Sequence, residues 1–204
     1  MTYLKGPLVA AVVLALSVPA PAQNARPATA RATIESVSAD GETLSVRTRA
    51  GQPETVHLKP TTRVILVVPA ALTDVKPGSF VGVAAVPGDG NDLKAMEVHI
   101  FPESMRGTGE GFRPFDLAPN SSMTNGNIAA LVDAASGPKL TVSYKGGEQT
   151  IVVDQKTPIV SFEPGDKSEL KAGAAIIARG PKQGDGSIDG AFVLVGKDGL
   201  VPPM

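Results

Sequence analysis

Residues 32–101 and 126–199 carry one ordered pattern of short apolar runs, turn glycines and a Lys-x-Gly corner. Leu44-Ser45-Val46 returns as Leu140-Thr141-Val142, a shift of 96 residues. Thr55-Val56-His57-Leu58 returns as Thr150-Ile151-Val152-Val153, a shift of 95. Val75-Lys76-Pro77-Gly78 returns as Leu170-Lys171-Ala172-Gly173, again a shift of 95. Solenoid repeats have periods of about 20–50 residues, so a period this long marks a duplicated domain. Whatever one copy folds into, the other must fold into something close to it.

The runs themselves read as strands. Thr33 to Val37 alternates, and Ser38-Ala39-Asp40-Gly41 is turn chemistry. Thr43 to Thr48, Thr55 to Lys59 and Arg63 to Val67 follow, the last two bounded by Pro60 and Pro69. One helical turn fits between Ala70 and Val75, and Phe80 to Val86 and Lys94 to Phe101 complete the first copy. The second copy repeats the order from Asn127 to Val195. The 22 glycines and 18 prolines suit a chain dense in turns and poor in long helices. The expectation is all-β: two similar small, six-stranded, partly closed barrels in tandem, each with one helical turn. Their proportions are those of the oligonucleotide/oligosaccharide-binding barrel. A two-sheet sandwich is the alternative.

The first 22 residues read as an export signal. Lys5 precedes an uncharged run from Leu8 to Val18, and Ala20-Pro21-Ala22 fits a small-x-small cleavage site. The run is shorter than the ~20 apolar residues of a membrane span, which points to cleavage after Ala22 and a periplasmic product with no transmembrane segment. Residues 23–31 show no apolar periodicity and read as a flexible lead-in, and 200–204 as a tail. With no cysteine, disulfides, thiol nucleophiles and thiolate metal sites are excluded. The 19 basic residues against 20 acidic ones give a net charge of −1, which excludes the positive surface that nucleic acid requires. Stacking platforms are scarce too, because the chain has no Trp and only Tyr144 lies outside the export signal as a tyrosine.

The piece between the copies, residues 102–125, is long for a connection. Met105, Phe112, Phe115, Leu117 and Met123 are poor material for a solvated linker, so an ordered interdomain element is expected. Here the chain resembles a known family. The run Met105-Arg106-Gly107-Thr108-Gly109-Glu110-Gly111, then Arg113-Pro114-Phe115-Asp116 and Met123-Thr124-Asn125-Gly126, is similar to exported bacterial tandem-repeat β proteins built on a domain of unknown function. The resemblance covers nearly all of the chain after residue 22. It implies a periplasmic β-barrel protein without an established activity, and it carries over no catalytic residues. A metal-permease role would need several membrane-spanning helices, which the chain lacks.

Four chemistries can be weighed on the residues. Glu97 and His99 share one face of a strand at i, i+2, with Glu103 nearby, a set able to present imidazole and carboxylate to a divalent ion. The second copy has no such residues at the matching positions. The glycines at 107, 109 and 111 miss the dinucleotide spacing, because Phe112 and Arg113-Pro114 stand where a third glycine and a helix should begin. Glu103, Glu110 and Asp116 around Arg106 and Arg113 read as ion pairs more readily than as an acid/base pair. No nucleophile elbow or Ser-His-Asp set is present. The expectation is a noncatalytic interaction or accessory module without a cofactor, engaging an unidentified protein or envelope component. Its contact surface would be Arg106, Glu110, Phe112, Arg113, Phe115 and Asp116, since arginine and aromatic anchors dominate interfaces. The alternative is a divalent-metal accessory protein using His99, Glu97 and Glu103.

Overall fold

The computed structural model describes residues 27–134 and 137–204; the export signal expected at 1–22 and the start of the expected lead-in lie outside them. The first copy supplies β1 (Ala28–Val37), β2 (Thr43–Thr48), β3 (Pro53–Pro69), β4 (Phe80–Pro87) and β5 (Leu93–Ile100). The connection contributes β6 (Gly111–Pro114). The second copy supplies β7 (Ser122–Val132), β8 (Lys139–Tyr144), β9 (Gly147–Val152), β10 (Ile159–Pro164), β11 (Ala175–Gly180) and β12 (Ile188–Gly196). The fold is all-β, its helical content confined to single turns such as Leu72–Asp74 and Lys167–Glu169.

The copies do not form two separate barrels in tandem. Strands β1, β2 and β3 pair antiparallel in sequence, then β3 pairs parallel with β12, and β12 and β11 return antiparallel to β1. This circuit closes a five-stranded barrel with three strands from the first copy and a hairpin from the second. The complementary group repeats the order. Strands β7, β8 and β9 of the second copy join β4 and β5 of the first, with β5 meeting β9 at Leu93↔Ile151 and Lys94↔Val152. Each half has lent its last hairpin to the other. The β11–β12 hairpin carries an inward pattern like that of β4–β5, so each fits the strands of the other half.

The exchange follows a pseudo-twofold relation at a 95-residue shift. Strands β3 and β10 cross antiparallel with Val67 opposite Phe162, residues that are themselves 95 apart. On either side, Val160↔Pro69 and Pro164↔Ile65 interchange under that shift. The Lys-x-Gly corners send each hairpin across. Gly78 and Gly173 hold φ of 83° and 87°, a region that favours glycine, while Val75 and Leu170 before them plug opposite cores.

Copy one has five strands, not six, because the runs around Pro60 merge into the 17-residue β3. Proline cannot donate to a ladder. The pairing with β12 shifts register there, and Thr62 repairs the gap by accepting from Lys59 N (2.8 Å) and donating to Gly190 O (2.6 Å). The lead-in is also shorter than the sequence suggests, since Ala28 to Arg31 already pair with β11. Alanines at 28, 30 and 32 alternate with polar residues and face the core, a period that methyl-sized side chains hide. The tail is packed as well: Met204 is buried and Arg49 donates to Pro202 O.

Two interiors are aliphatic, centred on Ile34, Leu44 and Ile176 in one and Val81, Leu140 and Ile151 in the other. A third apolar cluster lies outside both, where the groups meet, and contains Phe80, Phe101, Phe162, Ile177 and Leu194. Strand β11 faces apolar surroundings on both sides, which is why Ala175 to Ala178 read as an unbroken apolar run.

Candidate functional site

The third cluster frames a cavity of about 170 Å³. Its walls follow from strand register. On the outward face of the closed barrel, Thr29, Arg179, Phe192 and Arg63 stand side by side on β1, β11, β12 and β3. The next row on that face is Arg31, Ile177, Leu194 and Ile65. A cationic row therefore borders an aliphatic one. The opposite wall comes from the other group, where His99, Gly82, Asn125 and Gly111 form one row across β5, β4, β7 and β6. The connecting segment closes the top with Met105, Thr108, Arg113 and Phe115.

The charges are unbalanced. Arg31 is neutralised by Asp116, with Nη2–Oδ1 at 2.7 Å and Nη1–Oδ2 at 3.2 Å, and lies 5.7 Å over the Phe115 ring. The hydrogen bond from Arg31 lowers the Asp116 carboxyl below its ordinary range. Arg63, Arg113 and Arg179 have no carboxylate partner among the described residues. Burial first, and the Arg179 charge second, pull Arg113 down from its ordinary value. Guanidinium groups crowded this way gain most from an anion. Arg113 is meanwhile held in place by donating to Gly109 O at 2.6 Å.

Beneath the arginines lies a buried polar pair. Glu97 is 0% and His99 3% exposed, and His99 Nδ1 sits 3.1 and 3.3 Å from the two carboxylate oxygens. The imidazole packs 4.8 Å edge-on to Phe101 and 5.2 Å from Phe162. It crosses directly over Gly82: a Cβ there would collide with Nε2 and lie 2.8 Å from Asn125 Oδ1. Asn125 is 3% exposed, and its Nδ2 donates to Thr108 O at 2.9 Å. That bond fixes which way the amide points and leaves Oδ1 buried without a donor.

The residues singled out in the sequence divide three ways. Arg106 clamps the segment, donating to Glu103 (2.6 and 2.7 Å), Asn127 Oδ1 and Gly78 O (3.1 Å), and Glu110 accepts from Lys145 N at 2.9 Å. Phe112 points outward, 46% exposed. Arg113, Phe115 and Asp116 belong to the pocket and its rim, so the six do not form one exposed face. Of the metal set, Glu97 and His99 come together while the Glu103 carboxylate is held by Arg106 on the surface. Among the described residues no three or more His, Cys, Asp or Glu side chains converge on one point.

Sequence reasoning missed Arg31, Arg63, Arg179 and Asn125. The available signal was phase. Arg179 keeps the outward phase of Ile177, and Arg63 that of Ile65, placing guanidiniums beside Phe192 and Leu194 on the outer face. Compared with known protein families, curated proteins and solved structures, the chain matches none.

Proposed function

We propose that the protein is a noncatalytic periplasmic accessory module that holds a small anion with an apolar body in this pocket. One observation carries the reading: three guanidiniums without carboxylate partners border an aromatic and aliphatic cavity roofed by the connecting segment. Apolar walls with a few convergent polar groups are the usual form of a small-molecule site. On this reading residues 1–22 direct export, and the second five-strand group is a barrel like the first. The 95-residue relation between the halves supports keeping the chain with the exported tandem-repeat family that it resembles.

The test is thermal unfolding of residues 23–204 against a panel of small carboxylates and phosphates carrying apolar groups. A ligand at 100 times its dissociation constant adds about 2.7 kcal/mol, a shift of roughly 5–11 °C in the midpoint for a chain of this size. That shift should shrink in salt and vanish in the Arg113→Gln, Arg179→Gln double variant. Stabilisation by no anion, or equal stabilisation of the double variant, refutes the reading.

A metal accessory role is the second reading, favoured by the carboxylate that orients the His99 ring, an arrangement common behind ligating imidazoles. Stabilisation by one divalent metal, reversed by chelator and absent in His99→Ala, would support it; no shift with any metal would remove it.

A further inference from the structure

Resting on the anion-pocket reading, we propose that Asn125 and His99 form a second recognition point at which the bound anion must present a hydrogen-bond donor. The ligand class that follows is a single-ring aromatic acid bearing a hydroxyl or amino group.

The argument starts from the unpartnered oxygen. Asn125 lines the cavity, its Oδ1 is buried and accepts nothing, and its amide cannot flip without losing Thr108 O. A buried acceptor left unpaired carries the full cost of its desolvation, and native interiors keep few such atoms. Beside it, over Gly82, stands His99 Nε2. We assign the Nδ1 proton to the Glu97 contact, which leaves a lone pair on Nε2. Two acceptors therefore face the same spot. A hydroxyl satisfies one of them and an amino group both.

Size and charge define the rest of the ligand. An engineered cavity of 150 Å³ holds benzene, and this one is about 170 Å³. Its side walls include the Phe101, Phe115, Phe162 and Phe192 rings. The donor site lies close to the cationic end. Arg113 Nη2 and Asn125 Nδ2 each sit 3.3 Å from the position a Cβ on Gly109 would take. A compact acid can thus reach a guanidinium and the amide oxygen together, which a long-chain amphiphile would not need to do.

The test is isothermal titration of residues 23–204 with benzoate, the hydroxybenzoates, the aminobenzoates and the methoxybenzoates. The expected result is that the best hydroxy or amino isomer binds at least tenfold more tightly than benzoate. Methoxy isomers, which accept but do not donate, should gain nothing. In Asn125→Ala, where loss of the Thr108 bond alters the roof for every ligand alike, the ratio of donor-isomer to benzoate affinity should fall towards unity, and His99→Gln should lower the same ratio. Benzoate binding with no preference for donors would overturn the inference and leave the anion pocket standing. No binding by any of the four sets would overturn the inference, and the anion-pocket reading would then stand or fall with the wider panel of carboxylates and phosphates.

Discussion

The exchange of hairpins makes a prediction that pairs of core substitutions can decide. In the observed register Ile188 of β12 lies against Val56 of β3, and both are buried in the closed barrel. Under the 95-residue shift, the position matching Ile188 is Leu93, which lies against Ile151 in the other group. Two contiguous barrels would instead place Leu93 against Val56. Val56→Ala removes two methyl-sized groups worth ~0.8 kcal/mol each, and with the residual cavity the cost should reach about 2 kcal/mol. Ile188→Val should cost about 0.5–1.5 kcal/mol. Together these stay within the roughly 5–15 kcal/mol that a folded domain has to lose. Contacting residues couple by about 0.5–3 kcal/mol, whereas separated ones add to within ~0.3–0.5 kcal/mol. Urea unfolding of Val56→Ala, Ile188→Val and the double variant should therefore give non-additivity of at least about 0.5 kcal/mol. Val56→Ala combined with Leu93→Ala should be additive. Coupling to Leu93 with additivity at Ile188 would refute the exchange.

Gly82→Ala should be strongly destabilising, because the added methyl collides with His99 Nε2 and crowds Asn125 Oδ1; a midpoint within 1 °C of the parent would show that the ring is not held there. Phe115→Ala should lower the melting temperature, since the ring packs with the third cluster and under Arg31, whereas Phe112→Ala should leave it nearly unchanged. Equal effects would contradict the two placements. The Asp116–Arg31 pair depresses the carboxyl pKa, so its stabilisation is complete above the unfolded value of about 3.9 and is lost as pH falls through the lower folded value. Asp116 is largely exposed, so the effect should be small. Melting temperatures of the parent and Asp116→Asn should differ at pH 6 and converge as pH falls below 3; a constant gap would rule the pair out as the cause.

How much of this was legible in the sequence depended on whether the information was local. The strands were legible because alternation and turn residues are local signals; Val75 and Leu170 are both buried three residues before a glycine of positive φ. The exchange was not. Copies of one pattern are equally complementary to themselves and to each other, so no residue in β11 or β12 states which β3-like strand it will join. Arg63 and Arg179 carried no signal in the sequence beyond their strand phase, since what makes them a site is the aromatic cluster assembled from distant strands. His99 and Glu97, two residues apart on one strand, lie in contact. Their burial came from Gly82, 17 residues away in sequence and directly opposite in register. Glu103, adjacent in sequence, was instead captured by Arg106 at i+3.

The pocket's asymmetry follows from the same duplication. Under the 95-residue shift Arg179 corresponds to Ala84, Phe192 to Glu97, Leu194 to His99 and Ile177 to Gly82. Every pair occupies equivalent places on the two exchanged hairpins, β11–β12 and β4–β5. One hairpin has kept a large apolar surface with a cation at its end. The other has become small at β4, and the space so opened takes an imidazole backed by a carboxylate. Because the exchange brings both hairpins to the junction near the Val67–Phe162 crossing, these unlike surfaces face one cavity. Two separated barrels would display them on different bodies. Unlike residues at four paired positions, combined with the exchange, give the junction a cationic side and a hydrogen-bonding side.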